Sequence, residues 1–444
     1  MSNTLITNAT IVNEGRRFVS DVLIRGERID KIGTTISALE GVEIVDAKGR
    51  LLLPGLIDDQ VHFREPGLTT KGDIETESAA AAAGGITSFM DMPNVIPQTV
   101  TRAALAAKYQ LAQGRAHANY AFYFGATNDN LEEIEALKPG EACALKIFMG
   151  ASTGNMLVDD PAVLERIFAR SPVPVVTHCE DTPMIKANED AARAKWGDDV
   201  PFAEHPRIRS AEACYKSTAL AVDLAKRHGT RLHVLHLTTA RELEFFQPGP
   251  VEKKKITVEA CVHHLYFDES RYADLGAKLK CNPAVKTAAD RTALVAALRD
   301  GRIDIIATDH APHTRDEKAN KYFKAPSGLP LVQHALLALL ELVKRGELDL
   351  ETLVQRACHA PALRFGVADR GFVREGAYAD LVLVDLDATT EVTPQSLLYK
   401  CGWSPFEGHV FPARICSTWV NGHLAWDGEK VRTPRGERLK LRAP

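Results

Sequence analysis

No two cysteines of this 444-residue chain stand at C-x-x-C spacing. The eight (Cys143, Cys179, Cys214, Cys261, Cys281, Cys358, Cys401 and Cys416) are scattered. That pattern excludes a disulfide framework and a zinc knuckle, and reads as reduced, mostly buried thiols. No stretch is both long and apolar enough to span a bilayer, and the polar start "MSNTLITNAT" is not a signal peptide. A cytoplasmic compartment with no membrane partner is therefore expected. Charge of one sign is also scarce: the net charge of −4 gives no hint of a nucleic-acid partner, and the basic tail "RTPRGERLKLRAP" reads as a solvated terminus. No G-x-G-x-x-G follows the first strand of the central region, which removes the usual support for an open dinucleotide-binding sheet.

What remains is a chain with 45% hydrophobic and 25% charged residues, long enough for one large domain and a smaller one. Its first fifty residues are short β-branched runs broken by turn residues, such as "TLITNATIV" and "DVLIRGERIDKIG". The same texture returns near the C-terminus in "YADLVLVDLD" and "ARICSTWVNGHLAWDGEKV", so a single small β-sandwich built from both termini is expected. Between them lie eight apolar runs that end in polar residues: 55–63, 86–92, 119–126, 142–150, 173–179, 231–237, 255–264 and 303–310. Helical segments such as "KGDIETESAAAAAG" and "AEACYKSTALAVDLAKRHG" separate them. Repeated strand–helix units imply a parallel sheet, and eight of them fit a closed (β/α)8 barrel of the α/β class. The expected division is 1–53 and 369–444 for the sandwich and tail, and 54–368 for the barrel.

In such barrels chemistry sits at the C-terminal ends of the strands. Standing there are Gln60 and His62, Asp91 with Asn94 shortly after, Lys146, His178, His236, His263 with His264, and Asp309 with His310. Each alone has a plain structural explanation: a local hydrogen bond for a histidine, a helix cap for an aspartate, a snorkelling stem for a lysine. Five strands ending in nitrogen or oxygen donors are a different matter, because chance would scatter the fifteen histidines over helices and loops as well. Imidazole and carboxylate without thiolate suit zinc or a similar divalent ion in a catalytic role. Cys179 directly follows His178 and points to the other face, into the core. An ammonium cannot ligate a cation, so Lys146 joins the set only as a carbamate, formed from its neutral amine and carbon dioxide; desolvation favours that neutral amine. His233 is expected to pack away from His236. His263 and His264 receive no catalytic role, one being expected to face the pocket and the other a neighbouring helix.

The ordered motifs "PGLIDDQVHFREPG", "MDMPN", "LKIFMGAS", "THCED", "LHVLHLT", "EACVHHL", "CNPAVKTAADRTAL" and "IIATDHAPH" resemble the cyclic amidohydrolases, and most of all the bacterial dihydroorotases, from about residue 5 to residue 430. The resemblance implies a zinc held by His62, carbamylated Lys146 and Asp309. Gln60 stands where the family usually has another histidine. It implies that Lys146 bridges to a second zinc on His178 and His236, that Asp309 is the catalytic base and then acid, and that Arg64, Asn94, Asn282 and His313 bind substrate. A planar, always-charged guanidinium suits a substrate carboxylate, whereas hydantoinase-like relatives usually lack this arginine. The structural alternative for Arg64 is a salt bridge to Glu65 or another acid, and for the two asparagines a turn-forming role. The activity implied is reversible hydrolysis of dihydroorotate to N-carbamoyl-aspartate, by a homodimer acting on a small-molecule substrate. The alternatives are another cyclic amidase such as a hydantoinase or allantoinase, an inactive barrel serving a partner such as a transcarbamoylase, and a deaminase, against which the Lys146 strand argues. The segment "TRDEKANKYFKAPSG", 314–328, is the expected substrate cover.

Overall fold

The structure, a computed structural model, describes residues 3–37, 40–150 and 156–442. Eight parallel strands form the barrel: Leu56–Val61, Ile86–Asp91, Asn119–Phe122 continuing as Phe124–Gly125, Leu145–Phe148, Val175–His178, Leu232–Val234, Ile256–Cys261 and Ile305–Ala307. Nearly every residue of these strands is buried, because helices cover the outer face and side chains fill the inner one. Six neighbours pair in one run and three in another, with Phe124–Gly125 in the first and Asn119–Phe122 in the second, so the third strand belongs to both. Hydrogen bonds from Cys143 N–H to Phe122 O (3.0 Å) and from Phe124 N–H to Ala144 O (3.1 Å) join the two runs. The ring closes where Val61 bridges His310 and His62 N–H donates to His310 O at 2.7 Å.

The helices between strands carry their own punctuation. Asp73 and Thr287 each form a capping box at the start of Ile74–Ala83 and Ala288–Asp300, satisfying amides that the first helical turn leaves free. Gly229, at φ 68°, ends Ala211–His228 in the left-handed conformation that a residue with a Cβ rarely adopts.

Both termini build the sandwich. Leu51–Pro54 pairs with Asn3–Asn13 on one side and, antiparallel, with Leu381–Asp385 on the other; Arg414–Val420 and His423–Trp426 extend that side, and Arg16–Arg25 and Arg28–Gly33 the opposite one. A register shift between Ile6 and Ala9 lets the first half of Asn3–Asn13 pair with Val42–Asp46 instead. Ile11, Val22, Ile24, Leu52, Leu383 and Trp419 form the small core.

Two expectations need correction. The basic tail is not simply solvated: Tyr120 N–H donates to Glu437 O (2.9 Å), Leu439 N–H donates to Tyr120 O (2.8 Å), and Leu439 is buried against the barrel floor. Asp91 does not face the pocket. Its carboxylate accepts from Phe63 N–H at 2.8 Å and pairs with Lys108 Nζ at 2.6 Å, with both side chains buried. Among the described residues no helix is long and apolar enough to cross a membrane.

The Asp91–Lys108 pair generates a stability prediction. Lys108→Met leaves the Asp91 charge buried and unpaired, which should cost about 3–5 kcal/mol of unfolding free energy in a denaturant titration. The variant's metal content should equal that of the wild type.

Candidate metal centre and substrate pocket

A cavity of about 720 Å³ opens at the C-terminal ends of the strands. Gln60, His62, Lys146, His178, His236 and Asp309 line its floor and walls. Arg64, Asn94, Asn282 and His313 line the same cavity, so the metal-ligating and substrate-binding residues that the resemblance implies all reach one space.

The imidazoles converge in two groups. His178 Nδ1 and His236 Nε2 lie 2.9 Å apart, and His236 Nδ1 is buried without a partner among the described residues. Burial pushes His178 below the ordinary imidazole pKa and His236 well below it, so both rings are neutral and keep a lone pair. In the other group His62 Nε2 stands 3.1 Å from Asp309 Oδ1, and His62 Nδ1 2.8 Å from Asn94 Oδ1. Burial would raise the Asp309 carboxyl, but the bond from His62 and the nearby cationic groups hold it below the usual carboxylate range. Lys146 is 1% exposed, and burial lowers its ammonium to a pKa of about 8. Two neutral imidazoles facing each other, a third beside an ionised carboxylate, and an amine whose neutral form is reached far more readily than an ordinary lysine's form a donor set that fits divalent metal.

Gln60 is turned by its neighbours. Its Nε2 donates to Asp309 Oδ1 at 3.1 Å, while its Oε1 accepts from the Cys261 thiol at 3.6 Å. The amide nitrogen, not the carbonyl, therefore faces the carboxylate.

Three of these residues have left-handed backbones: Arg64 (φ 70°), His236 (φ 39°) and Asp309 (φ 50°). Such conformations are uncommon outside glycine and cluster at functional sites. They re-aim side chains that strand alternation would send elsewhere. For this reason the contrast drawn between His233 and His236 comes out differently. His233 also points inward, one layer below the pocket, where Nε2 lies 3.1 Å from Glu259 Oε2 and Nδ1 2.8 Å from Thr257 Oγ1. Cys179 lies in the core, as expected.

Other residues settle into structural places. His310 Nε2 meets Glu77 at 2.8 Å and its Nδ1 accepts from Leu331 N–H at 2.9 Å, outside the pocket. His263 and His264 sit on the short helix Val262–Tyr266, and neither lines the pocket, which corrects the expectation that one would. Glu65 pairs with Arg115 at 2.9 Å and accepts from Ile74 N–H at 3.0 Å, so it is not the partner of Arg64. The segment 314–328 supplies Pro326, Ser327 and Gly328 to one wall. The ammonium groups of Lys280 and Lys318 anchor it through the carbonyls of Tyr322, Ala325, Pro326 and Gly328. The last two residues of the motif "LKIFMGAS" lie outside the described residues.

Sequence reasoning missed the supporting carboxylates. Glu180 Oε2 lies 2.9 Å from His178 Nε2 and accepts from Arg209 at 2.8 Å. Burial alone would raise this acid, but Arg209 and His178 bring it down to about 2. Glu259 accepts the His236 backbone N–H at 3.1 Å. Glu180 thus fixes the orientation of the His178 ring, and Glu259 holds the His236 backbone. The only signal for Glu180 was its place two residues beyond His178, just past the end of the strand Val175–His178.

A closed barrel whose mouth gathers neutral histidines, a depressed lysine and an ionised aspartate defines the class of metal-dependent hydrolase barrels. The chain belongs to the amidohydrolase family, whose profile matches residues 51–425. It is 36% identical over 439 residues to a dihydroorotase of Halobacterium salinarum, covering 97% of this chain and 98% of that protein. A dihydroorotase of Bacillus cereus is 33% identical over 438 residues, covering 97% and 99%. Among solved structures, the L-hydantoinase of Arthrobacter aurescens superposes with a TM-score of 0.93 at 27% identity, covering 99% of this chain and all of that one. The dihydropyrimidinase of Brevibacillus agri gives 0.89 at 25% identity, with both chains fully covered.

The depressed lysine carries a pH prediction. Its folded pKa of about 8 lies below the unfolded value of about 10.4, so the unfolded chain binds more protons between the two. In metal-free, carbonate-free buffer the Lys146 contribution to stability should therefore rise as pH increases from about 8 towards 10, and Lys146→Met should remove that slope. Nitrogen NMR of the Lys146 amine should titrate near pH 8; a midpoint at the ordinary lysine value would contradict the burial argument.

Proposed function

We propose that the chain is a zinc-dependent dihydroorotase, opening the ring amide of dihydroorotate to N-carbamoyl-aspartate and catalysing the reverse closure. The observation that carries this reading is Arg64. It lies in the pocket, 7% exposed, with Nε donating to Pro312 O at 3.0 Å and Nη2 3.1 Å from His313 Nε2. Among the described residues no carboxylate stands within ion-pair distance of it. A buried guanidinium facing a cavity without its own acid fits a substrate that brings one, gripped through two parallel N–H···O bonds. Asn94, Asn282 and His313 lie on the same cavity to hydrogen-bond that group and the ring, and His313 also contacts the guanidinium.

In this reading His62, Lys146 as its carbamate and Asp309 would hold one zinc, and His178 and His236, with the same carbamate, would hold a second. Forming the carbamate joins the neutral Lys146 nitrogen to carbon dioxide and releases one proton, so the lowered pKa favours it. A zinc ion held there would supply Lewis acidity to the amide carbonyl and a lowered pKa, towards about 7, to water. Asp309, ionised at neutral pH, takes the proton from the attacking water and delivers it to the departing ring nitrogen. Microscopic reversibility runs the closure through the same groups. Because Gln60 turns its amide nitrogen to Asp309, its role in this scheme is to orient that carboxylate rather than to donate a lone pair.

A hydantoinase reading has the structural neighbours in its favour, and substrate choice separates the two. Arg64→Lys keeps the charge but loses the planar fork, so kcat/KM for dihydroorotate should fall by at least about tenfold to a hundredfold, the worth of one or two charge-assisted bonds. Unchanged turnover, or better turnover of hydantoin by the wild type, would refute the dihydroorotase assignment.

Gln60 supports a second test. With one imidazole fewer on its side, the ion on His62 and Asp309 should leave first when chelator is titrated in, giving two steps in retained zinc. Gln60→His should merge or reverse those steps; a single step in both proteins contradicts the ligand assignment.

A further inference from the structure

His263 and His264 take no part in the chemistry proposed above. They occupy Val262–Tyr266, the short helix that follows barrel strand Ile256–Cys261, and both are buried. Their ring centroids are 3.9 Å apart. Among the described residues neither ring nitrogen of His263 has a partner of good hydrogen-bond geometry, its one backbone neighbour of note being Thr308, and His264 Nδ1 has none. Facing them is the buried Cys281, whose Sγ lies 3.8 Å from His264 Nε2. That sulfur and that nitrogen both lie against the Pro283 carbonyl, at 3.2 and 3.0 Å. One ligating atom from each of His263, His264 and Cys281 lies within 4.8 Å of the other two.

Three unpartnered imidazole nitrogens in one buried place are unusual, because buried polar atoms are nearly always hydrogen-bonded. Packing alone would be served as well by phenylalanine or leucine. Two imidazoles and a thiol, with no carboxylate among the three, are the ligands of a borderline transition metal and are unsuited to calcium or magnesium. The three side chains are also electrically tolerable in their buried place. Burial lowers His263 to about 4 and His264 well below the usual range, and raises the Cys281 thiol to about 12, so all three are neutral without an ion.

We infer that His263, His264 and Cys281 form an additional metal site, distinct from the donor set in the pocket and selective for a divalent ion of the zinc type. Lone pairs of one nitrogen from each histidine and of Sγ form the coordinate bonds. The Cys281 thiol proton leaves to solvent, and the neutral imidazoles lose none. The Pro283 carbonyl, already against two of the three ligands, is placed to supply an oxygen. An ion there ties the helix after the seventh strand to the turn Cys281–Pro283, which carries the pocket residue Asn282.

Cobalt reports sulfur ligation directly, because thiolate–cobalt bonds give an intense near-ultraviolet charge-transfer band that nitrogen and oxygen ligands do not. The metal-free full-length protein is titrated with Co2+, and zinc bound at saturation is counted by equilibrium dialysis. Wild type should develop the band. Lys146→Ala should keep it while losing the ions assigned to the pocket, so the outcome does not depend on the catalytic reading. Cys261→Ser, which removes the thiol beside Gln60, should also keep it. Cys281→Ser should lose the band and one equivalent of zinc, and His263→Phe, which keeps an aromatic ring tilted against His264, should do the same. If Cys281→Ser fails to fold, His263→Phe decides. No band in the wild type, a band that survives both Cys281→Ser and His263→Phe, or a band abolished by Cys261→Ser alone would overturn the assignment.

Discussion

The seam between the first and eighth barrel strands is the contact on which the rest of the molecule depends. It is short: a backbone bond from His62 to His310, the bridge of Val61 with His310, and the carboxylate of Asp58. Asp58 accepts from Thr308 N–H at 3.1 Å and from the Thr308 hydroxyl at 2.6 Å. Burial raises Asp58 to about 7 despite these bonds, so the seam holds a costly acid in place. Without closure Asp309 would stand at the open edge of a sheet, far from His62 and Gln60. Closure therefore does two jobs at once, removing the unpaired strand edges and bringing together side chains separated by nearly 250 positions.

Beneath the pocket the polar groups form a connected chain. Asp309 accepts from Gln60, Gln60 accepts from Cys261, Cys261 reaches Glu259, and Glu259 accepts the His236 amide and meets His233. The two histidine groups of the pocket are thus linked through side chains of strands one and seven. Low dielectric strengthens each of these bonds and penalises any partner left alone, so a change at one member is felt by the others. Gln60 is the member whose chemistry departs from an imidazole, and the network turns its amide nitrogen, not its oxygen, towards the carboxylate.

Much of this was legible in the order of residues. Buried parallel strands write themselves as apolar runs ending in polar residues, and those runs located the barrel and the residues at its mouth. The two β-rich ends likewise announced one sheet system. What strand periodicity could not supply was the direction of side chains beyond the regular segments. Arg64, His236 and Asp309 have left-handed backbones, which break alternation, and this is why His233 and His236 both point inward. Asp91 was indistinguishable from a pocket residue until Lys108, seventeen positions later, was seen to reach it. Glu180 and Glu259 act only through the histidines they hold, a role that lives in three dimensions. The tail reads as basic and solvent-loving, yet its backbone, with Leu439, finds a partner in Tyr120.

The pairing of Leu51–Pro54 with Leu381–Asp385 also bears on how the chain is made. A ribosome adding about 5–20 residues per second emits the second strand roughly 15–65 s after the first. During that interval the early strands have apolar faces and an unsatisfied edge, with the later half of their own sheet not yet in existence. The barrel between them can fold as it emerges, but the sandwich is completed only afterwards. Nascent-chain surveillance by chaperones would act on the amino-terminal strands for longer than on any other part of the molecule.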